Sequence, residues 1–127
     1  MYVFGGEDSL NDLWGYALDT CVWTQVVSAG ESAPCPRTGY SLVPLGNRLM
    51  VFGGINHVSK SLNSVLHCFD LQQRRWSILA VGGEHPRARK FHAAIPCGGG
   101  FLIFGGADSG DKPCNDHTVL LRVMVVL

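Results

Sequence analysis

One pattern, written three times, restricts this chain more than anything else in it. Tyr2-Val3-Phe4-Gly5-Gly6 returns as Met50-Val51-Phe52-Gly53-Gly54 and again as Leu102-Ile103-Phe104-Gly105-Gly106. The glycine pairs are 48 and then 52 residues apart. Other landmarks keep the same order. Asn11-Asp12-Leu13 recurs as Asn63-Ser64-Val65 and as Asn115-Asp116-His117. Tyr16 stands seven residues before Trp23, and Phe69 seven before Trp76. Gly30, Pro34 and Arg37 are matched by Gly82, Pro86 and Arg89, each 52 residues on. A period of about fifty residues is the mark of a stacked repeat architecture.

Each unit reads as four short strands. The run before the glycine pair is apolar at nearly every position, as in a strand covered on both faces. Glycine then stops the strand by supplying backbone angles that other residues resist. In the second unit the strands are expected at Thr38–Leu45, Arg48–Phe52, Asn63–Phe69 and Trp76–Ala80. In the third they are expected at Phe91–Ile95, Phe101–Phe104 and His117–Leu121. Gly98-Gly99-Gly100 precedes a strand and not a helix, so it predicts a hairpin turn and no phosphate cradle. With 16 glycines and no window of 3.6-residue periodicity, the fold class is all-β.

The apolar run into Gly-Gly, the aromatic seven residues before a Trp and the Gly-x-x-x-Pro-x-x-Arg linker together resemble kelch repeats. The resemblance covers residues 1 to about 121. It implies kelch-type β-propeller blades of four antiparallel strands, ordered outward from a central channel, in an incomplete propeller. On that order, residues 1–37 are a partial repeat lacking its innermost strand. Residues 38–89 are a complete repeat, and residues 90–127 a partial one with a divergent C-terminal tail. A closed propeller takes at least about four blades. The chain is therefore expected to be a piece of a larger propeller. The alternative is a short chain that covers its blade edges by self-association or by docking to further blades. That alternative has some support in charge: residues 1–36 hold five acids and no Lys or Arg, while residues 37–127 hold ten basic residues and five acids. The tail from Val119 to Leu127 is apolar and β-branched, an aggregation hazard if uncovered.

Zero net charge argues against nucleic acid as a partner. The longest apolar stretch is broken by Arg122 and too short to span a bilayer, and no secretory signal opens the sequence. Five cysteines without a C-x-x-C fit a reduced, intracellular setting, and a cytoplasmic one is expected. The five histidines share no metal-ligand spacing, and no cofactor or metal is expected.

The resemblance places Arg37 and Arg89 just before a channel-side strand. There an arginine fork can bind acidic groups of a partner, and Arg87 and Lys90 make the second site more basic. The competing reading is that both arginines tie up backbone carbonyls between blades. The loops after the glycine pairs vary in length and content, as on a scaffold that presents a binding face. They supply His57, Ser59 and Lys60 in one unit and Asp108 and Asp111 in the next. Gly5, Gly6, Gly53, Gly54, Gly105 and Gly106 are expected to be structural, with Tyr16, Trp23, Phe69 and Trp76 in the seams between blades. Trp14, set opposite Leu66 by the 52-residue spacing, is expected in the core. His92 is expected to be a hydrogen-bonded structural residue.

The function expected is a protein–protein interaction module, a scaffold or adaptor for an acidic or phosphorylated segment. One alternative is a fragment of a kelch-like enzyme such as a metal-dependent oxidase. Such an oxidase needs a Tyr–Cys pair and gathered histidines; Tyr40 and Cys35 are near in sequence, but no histidine set surrounds them. Another is a truncated product without independent function.

Overall fold

The computed structural model describes residues 1–6, 10–29, 31–82 and 84–116, and the backbone of 119–123. Among the described residues eleven strands follow one another: β1 (Tyr2–Gly6), β2 (Leu10–Ala17), β3 (Val22–Gln25), β4 (Thr38–Leu45), β5 (Arg48–Ile55), β6 (Leu66–Asp70), β7 (Arg75–Leu79), β8 (Val81–Gly82), β9 (Ala93–Cys97), β10 (Gly100–Phe104) and β11 (Val119–Val123). They form three antiparallel sheets, ordered β1-β2-β3, β4-β5-β6-β7 and β8-β11-β10-β9. The all-β reading holds, and the first sheet has three strands. Among the described residues no helix is long and apolar enough to cross a membrane.

Local chemistry sets these elements. β9 and β10 are joined by Gly98 and Gly99, both at positive φ (55° and 79°), as a two-residue hairpin with the strands' own twist requires. β6 begins at Leu66 and not at Asn63, because Asn63 Oδ1 accepts the Val65 N–H at 2.7 Å and holds the chain in a turn there. Gly82, expected to open the linker that runs to Pro86, instead pairs with β11 together with Val81, and the two form the outer strand of the third sheet.

Strand register refines the repeat. Phe4 pairs with Leu13 and Val3 with Trp14, while Val51 pairs with His67. Trp14 therefore corresponds to His67 and not to Leu66. The 52-residue spacing slips by one within the strand.

Two apolar seams hold the sheets together. In the first, Phe4 and Leu13 of the first sheet meet Leu49, Val51, Phe69 and Trp76 of the second. Phe4 and Trp76 cross edge-on, with ring centroids 5.4 Å apart. In the second seam, Val43, Met50, Phe52, Leu66 and Cys68 meet Phe101 and Ile103. Alternation along β5 decides which seam each residue joins: Leu49 and Val51 face one way, Met50 and Phe52 the other. That is why the run before Gly53-Gly54 is apolar throughout.

Trp76 fills its seam and is 3% exposed. Trp23, expected in a seam, is 47% exposed and leans on Tyr16 with ring centroids 4.8 Å apart. The reason is positional. Trp23 pairs with Tyr16 as Trp76 pairs with Phe69, so both tryptophans face backward along the stack. Trp76 faces the first sheet. Trp23 has no described sheet behind it.

Candidate functional site

Arg37 and Arg89 each enter an inner strand from a proline-bearing linker, and each is 1% exposed. Arg37 donates from Nε to the Cys35 carbonyl (3.0 Å), from Nη1 to the Gly53 carbonyl (3.2 Å) and from Nη2 to Cys35 Sγ (3.2 Å). Arg89 repeats the plan: Nε to the Arg87 carbonyl (3.2 Å) and Nη1 to the Gly105 carbonyl (2.9 Å). Its Nη2 meets the Asp116 carboxylate, an ion pair that holds Asp116 below the ordinary carboxylate range. Both forks thus clamp the start of an inner strand to the glycine pair of the same unit. They close blades internally and present no donor to solvent.

The glycine pair is also where one unit meets the next. Gly54 N–H donates to the Arg89 carbonyl at 2.8 Å. Arg89 therefore fixes the second unit with its backbone and the third with its side chain.

The basic and acidic loop residues divide into three groups. Arg87, Asp108, Lys112, Cys114, Asn115 and Asp116 line one open cleft of about 440 Å³. Arg87 and Lys112 are exposed, and among the described residues neither forms an ion pair. Backbone N–H groups of Lys112 and Gly110 bond Asp108 Oδ1 and lower its pKa, so it stays ionised and shapes the loop. Lys90 lies outside this group: its Nζ pairs with Asp111 at 2.7 Å. His57, Ser59 and Lys60 belong to the neighbouring loop. There His57 Nε2 and Thr38 Oγ1 share a hydrogen bond of 2.5 Å, and Ser59 and Ser61 hydroxyls one of 2.7 Å. Asn56 Oδ1 ties that loop by accepting the N–H groups of Val58 and Ser59. Asn56 and Asp108 stand 52 residues apart, so the two loops are pre-shaped by the same device.

Cys35 is exposed beside a buried cation. Burial opposes its ionisation, but the Asn56 amide and the Arg37 guanidinium outweigh that and lower the thiol pKa. Tyr40, its neighbour in the oxidase reading, sends its hydroxyl to the Phe4 carbonyl across the first seam. Among the described residues no three His, Cys, Asp or Glu side chains converge as a metal site.

His92 is buried in the second seam. Its Nε2 shares a 2.9 Å hydrogen bond with Ser41 Oγ, and its ring stands edge-on to Phe52. Burial, reinforced by the Arg89 charge, lowers its pKa to about 4. The unfolded chain binds this proton near pH 6.5 and the folded one only near pH 4, so stability falls as pH drops through that window. Urea melts between pH 7 and pH 4 are expected to show a loss of about 1–3 kcal/mol that His92→Gln removes. An unchanged slope in the variant would assign the loss to other groups.

Comparison with known proteins agrees with this architecture. Residues 1–123 match the model of the KLHDC2/KLHL20/DRC7 Kelch-repeats domain. The chain belongs to the kelch-repeat family. It is 36% identical over 114 residues to Acyl-CoA-binding domain-containing protein 4 of Arabidopsis thaliana, covering 86% of this chain and 17% of that protein. It is 34% identical over 112 residues to Tip elongation aberrant protein 1 of Schizosaccharomyces pombe (84% and 10%). It is 27% identical over 110 residues to Kelch domain-containing protein 3 of Bos taurus (84% and 28%). The kelch-repeat chain thus spans less than a third of each of these relatives. Kelch-repeat homologues of this kind suggest a protein-interaction module.

Sequence reasoning missed Asp116 as the partner of Arg89 and Lys112 as the second cation of the cleft. A signal existed for the first. Asp116 sits where the first unit has Asp12 and the second has Ser64, so a carboxylate recurs at that position in two of the three units.

Proposed function

We propose that this run of blades is a protein-interaction module whose third-unit cleft takes an acidic or phosphorylated segment of a partner protein. The observation that carries the reading is that exposed Arg87 and Lys112 both line a cleft of about 440 Å³. Asp116 is already paired with buried Arg89, so Arg87 and Lys112 stand against Asp108 alone. A carboxylate or phosphate entering there gains charge-assisted hydrogen bonds without distorting the blades, because the loop is already tied by Asp108. Arg37 and Arg89 support the site by holding the blade ends and do not touch the segment. The neighbouring loop with His57, Ser59 and Lys60 extends the same binding face, and Lys90 with Asp111 braces its wall.

The experiment is a fluorescence-anisotropy titration with an Asp/Glu-rich peptide, its phosphoserine counterpart and a neutral peptide of equal length. The acidic peptides are expected to bind with salt-sensitive affinity. Arg87→Glu with Lys112→Glu weakens them by about 10- to 100-fold, the worth of two charge-assisted contacts. Equal binding of the neutral peptide, or binding that survives the double charge reversal, would refute this reading.

A further inference from the structure

An aromatic side chain stands at the loop end of the junction between the second and third units, strained, pinned and exposed. Phe91, expected to open an inner strand, lies two residues before β9. Its backbone sits at φ 57°, in the left-handed region that a bulky side chain resists. One repeat earlier, position 39 holds glycine, at φ 68°. The two positions are tied. The Phe91 N–H donates to the Gly39 carbonyl at 2.8 Å. The ring lies against Gly39 as well, since a Cβ there would come 3.0 Å from two ring carbons. Phe91 is nonetheless 69% exposed. This exposure differs in kind from that of Trp23. Blades stack through the faces of their sheets, whereas Phe91 lies outside the strands, where linkers enter and the loops after the glycine pairs leave. The two units that meet at its junction are both in the chain. The same end carries the cleft. Lys90 and Ala107 exchange two backbone hydrogen bonds, which sets Phe91 beside the loop that runs to Asp116. Lys90 links the two places: its Nζ lies 2.7 Å from Asp111 Oδ1 and 5.6 Å from the Phe91 ring centroid.

We propose that Phe91 is the apolar anchor of the binding face. The partner segment then carries a large apolar side chain, best an aromatic one, within a few residues of its acidic or phosphorylated group. The inference rests on the reading of the cleft given above and adds a second requirement to it. An extended segment advances about 3.3 Å per residue, so a few residues reach from the cleft loop to the ring. Phe91 suits such a contact. Its backbone is hydrogen-bonded and its ring seated on Gly39, so little freedom is lost when a partner packs against it. Backbone strain kept at a largely exposed side chain is the kind that collects at functional positions. Arg87 and Lys112 in the cleft set the charge of the same segment, because they repel a cationic one.

The test is a cycle in peptide and protein, read by fluorescence anisotropy on the 127-residue chain. Three dye-labelled phosphoserine peptides differ in one respect: tryptophan about three residues before the phosphoserine, tryptophan about three residues after it, or alanine at both places. The better tryptophan peptide is expected to bind at least about ten-fold tighter than the alanine peptide, as a central aromatic contact does. Phe91→Gly is expected to remove that advantage and to leave the affinity of the alanine peptide unchanged. Glycine suits the left-handed backbone, so the variant's thermal midpoint is expected to hold or rise. Phe91→Asn, which also tolerates that backbone, replaces it if it does not fold. Charge dependence separates the two readings. Suppose the alanine peptide binds and Arg87→Glu with Lys112→Glu weakens it. If tryptophan then adds nothing, or its advantage survives Phe91→Gly, the anchor is refuted and the cleft stands. If no peptide's binding responds to the charge reversal, the cleft reading falls and the anchor with it. A Phe91→Gly variant that weakens all three peptides equally assigns Phe91 a structural role and likewise overturns the proposal.

Discussion

Replacing Arg89 by alanine is expected to lower the unfolding free energy by about 3–5 kcal/mol, the usual loss when one partner of a buried ion pair is removed. Arg89 is buried, and its fork bonds two carbonyls, of Arg87 and Gly105, and the Asp116 carboxylate. Its loss strands all three acceptors and leaves a cavity where the side chain lay. Asp116 is the part of the network best able to recover, because its side chain is partly exposed and can rehydrate. Adding Asp116→Asn to Arg89→Ala should therefore return some of the loss, a coupling that a double-mutant cycle in urea would measure. A change below about 1 kcal/mol for Arg89→Ala would mean that the fork is dispensable, as an exposed pair is. For a domain held by roughly 5–15 kcal/mol, the predicted loss is a large fraction of the whole.

Gly53→Val is expected to be at least as damaging. Gly53 has φ +70°, and a Cβ there would lie 2.6 Å from the Arg89 carbonyl oxygen and 2.6 Å from His92 Cε1. The left-handed backbone alone costs a non-glycine residue about 1–2 kcal/mol. The clash is with backbone, which cannot swing aside, so the Gly54–Arg89 hydrogen bond between units would also break. A total above about 3 kcal/mol is expected, read as a drop in the thermal midpoint. Gly6→Ala is the control. Gly6 aligns with Gly54, yet a Cβ there meets nothing within 4 Å, whereas at Gly54 it would lie 2.8 Å from the Thr38 carbonyl oxygen. Among the described residues the first sheet has no strand corresponding to β4, so its second glycine is free of the contact. Gly6→Ala should be near neutral. If the two substitutions cost the same, the glycine pair is not acting through close approach of the neighbouring chain.

Much of this was legible in the sequence for a simple physical reason. A blade buries both faces of its second strand, so a run such as Met50-Val51-Phe52 is apolar without alternation, and glycine must follow where the next unit's backbone comes close. The hairpin at Gly98-Gly99 was likewise readable from turn chemistry. Three things were not. The exposure of Trp23 depends on a neighbour, and a repeat motif carries no record of whether the neighbour is there. The outer strand Val81–Gly82 is too short to show any periodicity. At the site, the resemblance singled out Arg37 and Arg89 but left open where their forks point. Burial and the partner carbonyls decide that, and the exposed cations flanking the cleft are Arg87 and Lys112.

The most direct test of the whole account is a ¹⁵N chemical-shift map of the chain titrated with the phosphoserine peptide. Saturable shifts are expected, centred on Arg87 and on the loop from Asp108 to Asp116, with the seam residues Phe52 and Trp76 unmoved. Shifts centred instead on another cleft, of about 310 Å³ around Tyr2, Gln25 and Arg74, would contradict that reading. So would a spectrum that the peptide leaves unchanged.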